Sequence, residues 1–85
     1  MVISVAPNAF DHNRYGVVVT RKFGSAVHRN RARRVVRASL ASLHLQLISG
    51  YDMVVIVRQS LSGKGVTETL PEMTHLLRQA GLVAG

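Results

Sequence analysis

A small two-layer α/β domain of the α+β kind, a mixed sheet covered by helices in the order β-β-α-β-α, is the class that three features of the sequence predict. Three short runs rich in Val, Ile and Tyr are bounded by Pro, Asn and Gly, as strands are. Between the second and third run the apolar residues recur at helical spacing. Beyond the third, a Pro and a Gly bracket a shorter helical pattern.

The chain opens on strand: Met1 to Ala6 reads Met-Val-Ile-Ser-Val-Ala and stops at Pro7-Asn8. Residues Asn8 to Arg14, with Asp11 and Asn13, make a polar connection to a second strand, Tyr15 to Thr20, whose Val17-Val18-Val19 run is apolar on both faces. A connection this short favours antiparallel neighbours, so the two strands are expected side by side. The second strand runs into Arg21-Lys22, then Gly24, whose backbone can take angles closed to other residues, and Ser25, a good N-cap. The first helix is expected from Ser25 to a point between Ser42 and Leu47, with Ser49-Gly50 as its exit. Tyr51 to Arg58 is the most apolar stretch and is placed at the centre of the sheet. Gln59 to Gly65 reads as a loop. Pro71 suits the first turn of a helix, where its missing N–H costs nothing, so the last helix is set from Leu70 to Ala80 with Gly81 as its stop. Leu70, Met73, Leu76, Leu77 and Ala80 form its buried side.

At 85 residues and 9.3 kDa the chain is read as one domain, residues 1–85, near the size where a core is barely sufficient by itself. There is no Cys, which removes disulfides and thiolate metal sites and points to a reducing compartment. A net charge of +7 points to RNA, DNA or an anionic membrane as partner rather than to an acidic small molecule alone. No apolar run approaches the about 18 residues of a membrane span, and the first residues lack the pattern of a signal peptide. A soluble, cytoplasmic protein is the expectation.

The charge is concentrated. Seven of the eleven Lys and Arg residues lie between Arg21 and Arg37, a stretch without Asp or Glu. From Ser25 onward, Ala32, Val35, Val36, Ser39, Leu40 and Leu43 form the stripe that a helix turns to a core. Asn30, Arg33, Arg34 and Arg37 fall on the opposite side, flanked by Arg31. Arg29 stands near the edge of the apolar stripe and is expected to project back toward the Gly24 turn. Ordinary solvated faces mix Glu with Lys so that opposite charges pair. Here nothing pairs, and guanidinium forks match phosphate oxygens bidentately, so the face is read as binding nucleic acid. The candidate RNA-binding residues are Arg21, Lys22, Gly24, Ser25, Arg29, Asn30, Arg31, Arg33, Arg34 and Arg37.

Other constellations carry less. The four carboxylates, Asp11, Asp52, Glu68 and Glu72, are scattered, so no catalytic residue is assigned to the protein itself. His12, His28, His44 and His75 lack the spacing of a zinc motif and read as surface or hydrogen-bonded histidines; His28, beside Arg29, is the one that could touch RNA. Gly63-Lys64-Gly65 lacks the remainder of a phosphate loop and reads as a solvated turn. With Phe10, Tyr15, Phe23 and Tyr51 as the aromatics, base stacking has few candidates, and Phe23 stands equally as core or contact.

Thr20-Arg21-Lys22-Phe23-Gly24-Ser25-Ala26-Val27, followed by Arg29-Asn30-Arg31, Arg33-Arg34 and Arg37, resembles the signature of the protein subunit of bacterial ribonuclease P. Gly50 to Arg58 and Leu76 to Leu82 resemble that family's last strand and last helix, so the likeness covers essentially the whole chain. It implies a fold like that of a ribosomal protein domain, with a left-handed crossover between two parallel strands, against the general right-handed rule. It also implies an accessory subunit that helps a catalytic RNA remove the 5′ leader of precursor tRNA, the RNA doing the chemistry with Mg²⁺. The partners would be that RNA and the precursor tRNA, with no membrane, no small-molecule substrate and no cofactor on the protein alone. Ser25 stands where the family commonly has Asn, and Ala38 where an acid is common. The family carries a helix before its first strand, whereas this sequence starts at the strand. A misplaced start codon or a truncation would account for that, and would leave the sheet face of alternate residues in Met1 to Val5 and Tyr15 to Val19 exposed and apolar.

Two other readings remain. A ribosome-associated or other structured-RNA-binding module of similar fold would carry the same basic helix. A membrane-surface helix would pair its basic face with Trp or Phe, whereas this one offers Val, Leu and Ala.

Overall fold

The computed structural model describes residues 1–58 and 63–84, and within them every side chain but that of Phe23. Strand β1 spans Val2–Pro7, β2 Arg14–Val19 and β3 Tyr51–Val57; helix α1 spans Ala26–Leu43 and α2 Val66–Gln79. Short 3-10 turns at Arg21–Phe23 and His44–Gln46 flank α1.

The strands form one three-stranded sheet in the order β1-β3-β2, with β3 central as its composition predicts. The expectation that β1 and β2 are neighbours is overturned, because β3 lies between them. It runs antiparallel to β1, Ser4 opposite Val54, and parallel to β2, Gly16 opposite Val54. The physical reason is that β3 buries Met53, Val55 and Val57, and a strand so buried must satisfy its backbone N–H and C=O groups on both edges. The connection need cross only two strand spacings, roughly 10 Å.

That connection does more than its polar composition suggests. The Asn8 N–H donates to the Gly50 carbonyl at 2.8 Å. Asn13, buried, donates from Nδ2 to the Ile48 carbonyl at 3.0 Å, while its Oδ1 accepts the Tyr51 N–H at 2.9 Å. Two asparagines thus close the β1–β2 connection onto the segment that leads from α1 into β3.

Helix α1 starts where Ser25 predicts. The Ser25 Oγ accepts the His28 N–H, and the helix ends at Leu43, within the expected interval. Ala32, Val36, Ser39, Leu40 and Leu43 are buried, and Val35 is half-buried. Ala32, Val36, Leu40 and Leu43 pack with Val19, Met53, Val55 and Val57 of the sheet and Met73 and Leu77 of α2. Each fully buried aliphatic side chain contributes on the order of 1.5–3 kcal/mol, which makes this shared layer the main stabilising element. Ser39, the polar member of the stripe, is satisfied by donating to the Val35 carbonyl at 2.9 Å.

Helix α2 corrects the sequence reading at its start. It begins at Val66, ahead of Leu70, with Gly65 as N-cap and the Glu68 carboxylate accepting the Gly65 N–H at 2.8 Å. Gly65 has no side chain with which to cap, so Glu68 supplies the returning half of a capping box alone. Pro71 therefore lies inside the helix rather than in its first turn, and the Thr67 carbonyl loses its helical donor. Pro71 is exposed, where water can serve that carbonyl. Met73 and Leu77 are buried and Leu70 and Leu76 half-buried as expected, but Ala80 is exposed, and Thr69 is buried in its stead. Gly81, at φ 78°, stops the helix: its N–H reaches the Arg78 carbonyl at 3.0 Å and the Leu82 N–H the Leu77 carbonyl at 3.0 Å. The chain then pairs back on itself, Val83 bridging Leu47 in antiparallel sense and Leu82 buried. Of the Gln59–Gly65 loop, residues 59–62 lie outside the described residues; Gly63 to Gly65 are neither helix nor strand.

Both helices cover one face of the sheet. The other face is open, and Val2, Val18 and Val54 are 39%, 48% and 38% exposed. Their row is closed at the polar end by Arg14 and Asp52, opposite each other across β2 and β3.

Candidate nucleic-acid interface

The basic array is built on the turn between β2 and α1. After the 3-10 turn the chain passes through Gly24 at φ 137°, a region that side-chain-bearing residues rarely enter. Ser25 then caps the helix. Its Oγ lies 2.9 Å from Nδ1 of His28, so the exposed His28 ring is part of the cap. Arg29 folds back as its place at the stripe's edge implies, donating from Nη1 to the Gly24 carbonyl at 2.7 Å. The turn and the first helical residues are thereby tied into one unit.

Further along α1 the arginines divide. Arg31 donates from Nη1 to the Lys64 carbonyl at 3.1 Å, linking α1 to the turn that starts α2. Arg33 does not stand wholly in solvent as its wheel position suggests: it is half-buried, and its Nη1 donates to Oδ1 of Asn30 at 3.0 Å. Arg34 and Arg37 are exposed and have no side-chain partner among the described residues. Arg21 and Lys22 are exposed on the 3-10 turn. Phe23, which the sequence leaves equally as core or contact, has its side chain outside what is described.

No carboxylate shares this face among the described residues. Asp52 is engaged at the far end of the sheet, accepting from Nε of Arg14 at 2.8 Å, Nη2 of Arg14 at 2.6 Å and Nδ2 of Asn8 at 2.9 Å. Those hydrogen bonds, the Arg14 one foremost, hold its carboxyl down to about 2. Arg14 in turn lies 4.7 Å from the ring centre of Phe10. Asp11 pairs with His12 at 3.2 Å, and Glu72 lies 3.9 Å from the N-terminal ammonium. Glu68 is the acid nearest the basic helix. The Gly65 N–H chiefly, with the charges of Lys64 and Arg31, keeps it below the usual carboxylate range. With the acids thus engaged elsewhere, the field over Asn30, Arg33, Arg34 and Arg37 is positive without internal neutralisation, and a polyanion relieves that repulsion. Among the described residues no three of His, Asp and Glu come together as a metal site, and no helix is long and apolar enough to cross a membrane.

The sequence model of the family described as Ribonuclease P matches residues 1–81. The chain belongs to the ribonuclease P protein family. It is 37% identical over 84 residues to the ribonuclease P protein component of Clostridium kluyveri, covering 96% of this chain and 75% of that one. It is 42% identical over 84 residues to the component of Chloroflexus aurantiacus, covering 98% of this chain and 62% of that one. The chain therefore spans between about three-fifths and three-quarters of the length of these relatives. Among solved structures, the ribonuclease P protein of Thermotoga maritima superposes with a TM-score of 0.82 at 32% identity, over 91% of this chain and 74% of that one. The Staphylococcus aureus ribonuclease P protein superposes at 0.83 with 27% identity, over 95% and 74%. The α+β architecture of these ribonuclease P proteins is thus the architecture found here.

Sequence reasoning missed three features of this ribonuclease P family chain: the Arg14–Asp52–Asn8 cluster, the Asn13 clamp and a bond between Tyr15 and His44. Each joins residues far apart in the chain, and nothing in local spacing signals such pairs.

Proposed function

We propose that this chain is the RNA-binding protein partner of a bacterial ribonuclease P RNA, assisting that RNA in removing the 5′ leader from precursor tRNA in the cytoplasm. The observation that carries the reading is the acid-free basic face of α1, with Arg34 and Arg37 unpaired among the described residues, in a chain of this family. Arg21, Lys22, Arg29, Arg31, Arg33, Arg34 and Arg37 supply the charge, Asn30 a neutral amide, and Gly24 and Ser25 the turn on which they stand. In this reading Mg²⁺ would be held by the RNA, which carries the chemistry.

The test is reconstitution. The protein is added to the ribonuclease P RNA of the same genome, and precursor tRNA cleavage is followed at limiting Mg²⁺. Cleavage should rise, and binding to that RNA should weaken with salt at a log–log slope of roughly −3 to −5 if about five arginines reach phosphate. No stimulation of cleavage, or a flat salt response, overturns the proposal. Preference for ribosomal RNA over the ribonuclease P RNA would favour a ribosome-associated module.

A further inference from the structure

Along α1 the basic stripe runs out at Arg37, and the next residues on the same side are different in kind. Arg33 or Arg34, Arg37, Ala41 and His44 recur at helical spacing, and the last three line a groove of about 330 Å³ together with Leu40 and Tyr15. Its wall is apolar where Leu40 and Ala41 stand, aromatic at Tyr15 and His44, and cationic at Arg37 alone. The volume falls at the small end of the range for ligand clefts, the scale of one base with its sugar.

The two rings are fixed rather than merely near. The Tyr15 hydroxyl lies 2.7 Å from Nδ1 of His44, and Nδ2 of Asn13 donates to that hydroxyl at 3.4 Å. The Tyr15 hydroxyl, able both to donate and to accept, thus bridges Asn13 and His44. The rings cross at 73° with centres 5.7 Å apart, so neither occupies the other by parallel stacking. Asn13 is itself locked by its bonds to Ile48 and Tyr51, so the aromatic pair rests on the frame of the fold.

We propose that this groove receives one unstacked nucleobase of a single-stranded RNA segment whose phosphates track the basic face of α1, with Arg37 on the adjoining phosphate. This rests on the RNA-binding reading above and adds to it a base-contacting subsite. The charge argues for the occupant: a free guanidinium at the mouth selects an anion, and apolar and aromatic walls select a flat, poorly hydrated group. A nucleotide presents both within one residue.

The experiment compares a short single-stranded RNA with inorganic polyphosphate of equal charge, each titrated into the isotopically labelled protein and followed by NMR. RNA should shift the Arg34 and Arg37 resonances, the His44 ring and the Leu40 and Ala41 methyls, whereas polyphosphate should shift the arginines alone. His44→Ala, and Ala41→Trp as a groove-filling variant at another exposed position, should each weaken the RNA about tenfold and leave polyphosphate affinity unchanged. If RNA shifts the arginines but not the groove, or if polyphosphate shifts the groove equally, the base subsite is overturned while the phosphate-binding helix stands. If neither ligand shifts the arginines, the RNA-binding reading itself fails.

Discussion

The guanidinium of Arg29 is bound to the carbonyl of Gly24 at 2.7 Å, so a residue of the basic array serves as the brace of the turn that carries the array. Gly24 holds φ 137°, and a Cβ built there meets nothing nearer than His28 at 3.7 Å. Space is therefore available and backbone conformation is not. Gly24→Ala should cost about 1–3 kcal/mol of stability through strain alone. Ser25→Asn should be nearly silent, because either side chain caps the helix. Urea denaturation of both variants checks this, and a neutral Gly24→Ala would mean that the turn relaxes without its glycine.

Arg34 and Arg37 are the exposed arginines of α1 with no hydrogen bond or ion pair among the described residues. Replacing both with Ala should leave stability within about 0.5 kcal/mol, as for other surface positions. The salt slope of RNA binding should become shallower by about 1.5. Parallel thermal melts and binding isotherms at several salt concentrations make the comparison. An unchanged slope would place the phosphates elsewhere.

The Asp52 carboxyl sits at about 2 in the folded chain against an ordinary value of 3.8. A depressed carboxyl adds stability above its unfolded value and loses it as pH falls toward its folded one. The melting temperature should therefore drop as pH is lowered from about 3.8 to about 2. Asp52→Asn should flatten that portion of the curve. Glu68, depressed mainly by the Gly65 N–H, retains its own share in the variant, so some acid sensitivity persists. A full-sized drop in Asp52→Asn would show that the Arg14 pairing contributes nothing.

Thr69 is fully buried in α2, and its hydroxyl has no hydrogen-bond partner among the described residues. Thr69→Val keeps the shape and removes the orphaned group, so it should stabilise the fold by about 1 kcal/mol. Destabilisation on calorimetry would show that the hydroxyl is satisfied in solution.

The elements, the centre of the sheet and the charged face were legible in the sequence, because each is written in neighbouring residues. Ser25 marks a helix start, Gly81 a stop, Tyr51 to Val57 a buried strand, and Arg-Asn-Arg with its following arginines a one-sided field. Local signals also misled: Pro71 looked like a first-turn residue because the cap at Gly65 depends on Glu68 reaching back, which composition does not advertise. That β3 separates β1 from β2 emerged only in three dimensions, because strand order depends on which strand must satisfy two edges. So did the division of the arginines of α1 between those bonded within the protein, Arg29 to Gly24, Arg31 to Lys64 and Arg33 to Asn30, and Arg34 and Arg37, which have no side-chain partner among the described residues. The Tyr15–His44 pair lies in the same category, 29 residues apart in the chain and 2.7 Å apart in space. Side chains at that separation meet because a shared apolar core draws the helix end onto the strand, and the core is a property of the whole fold.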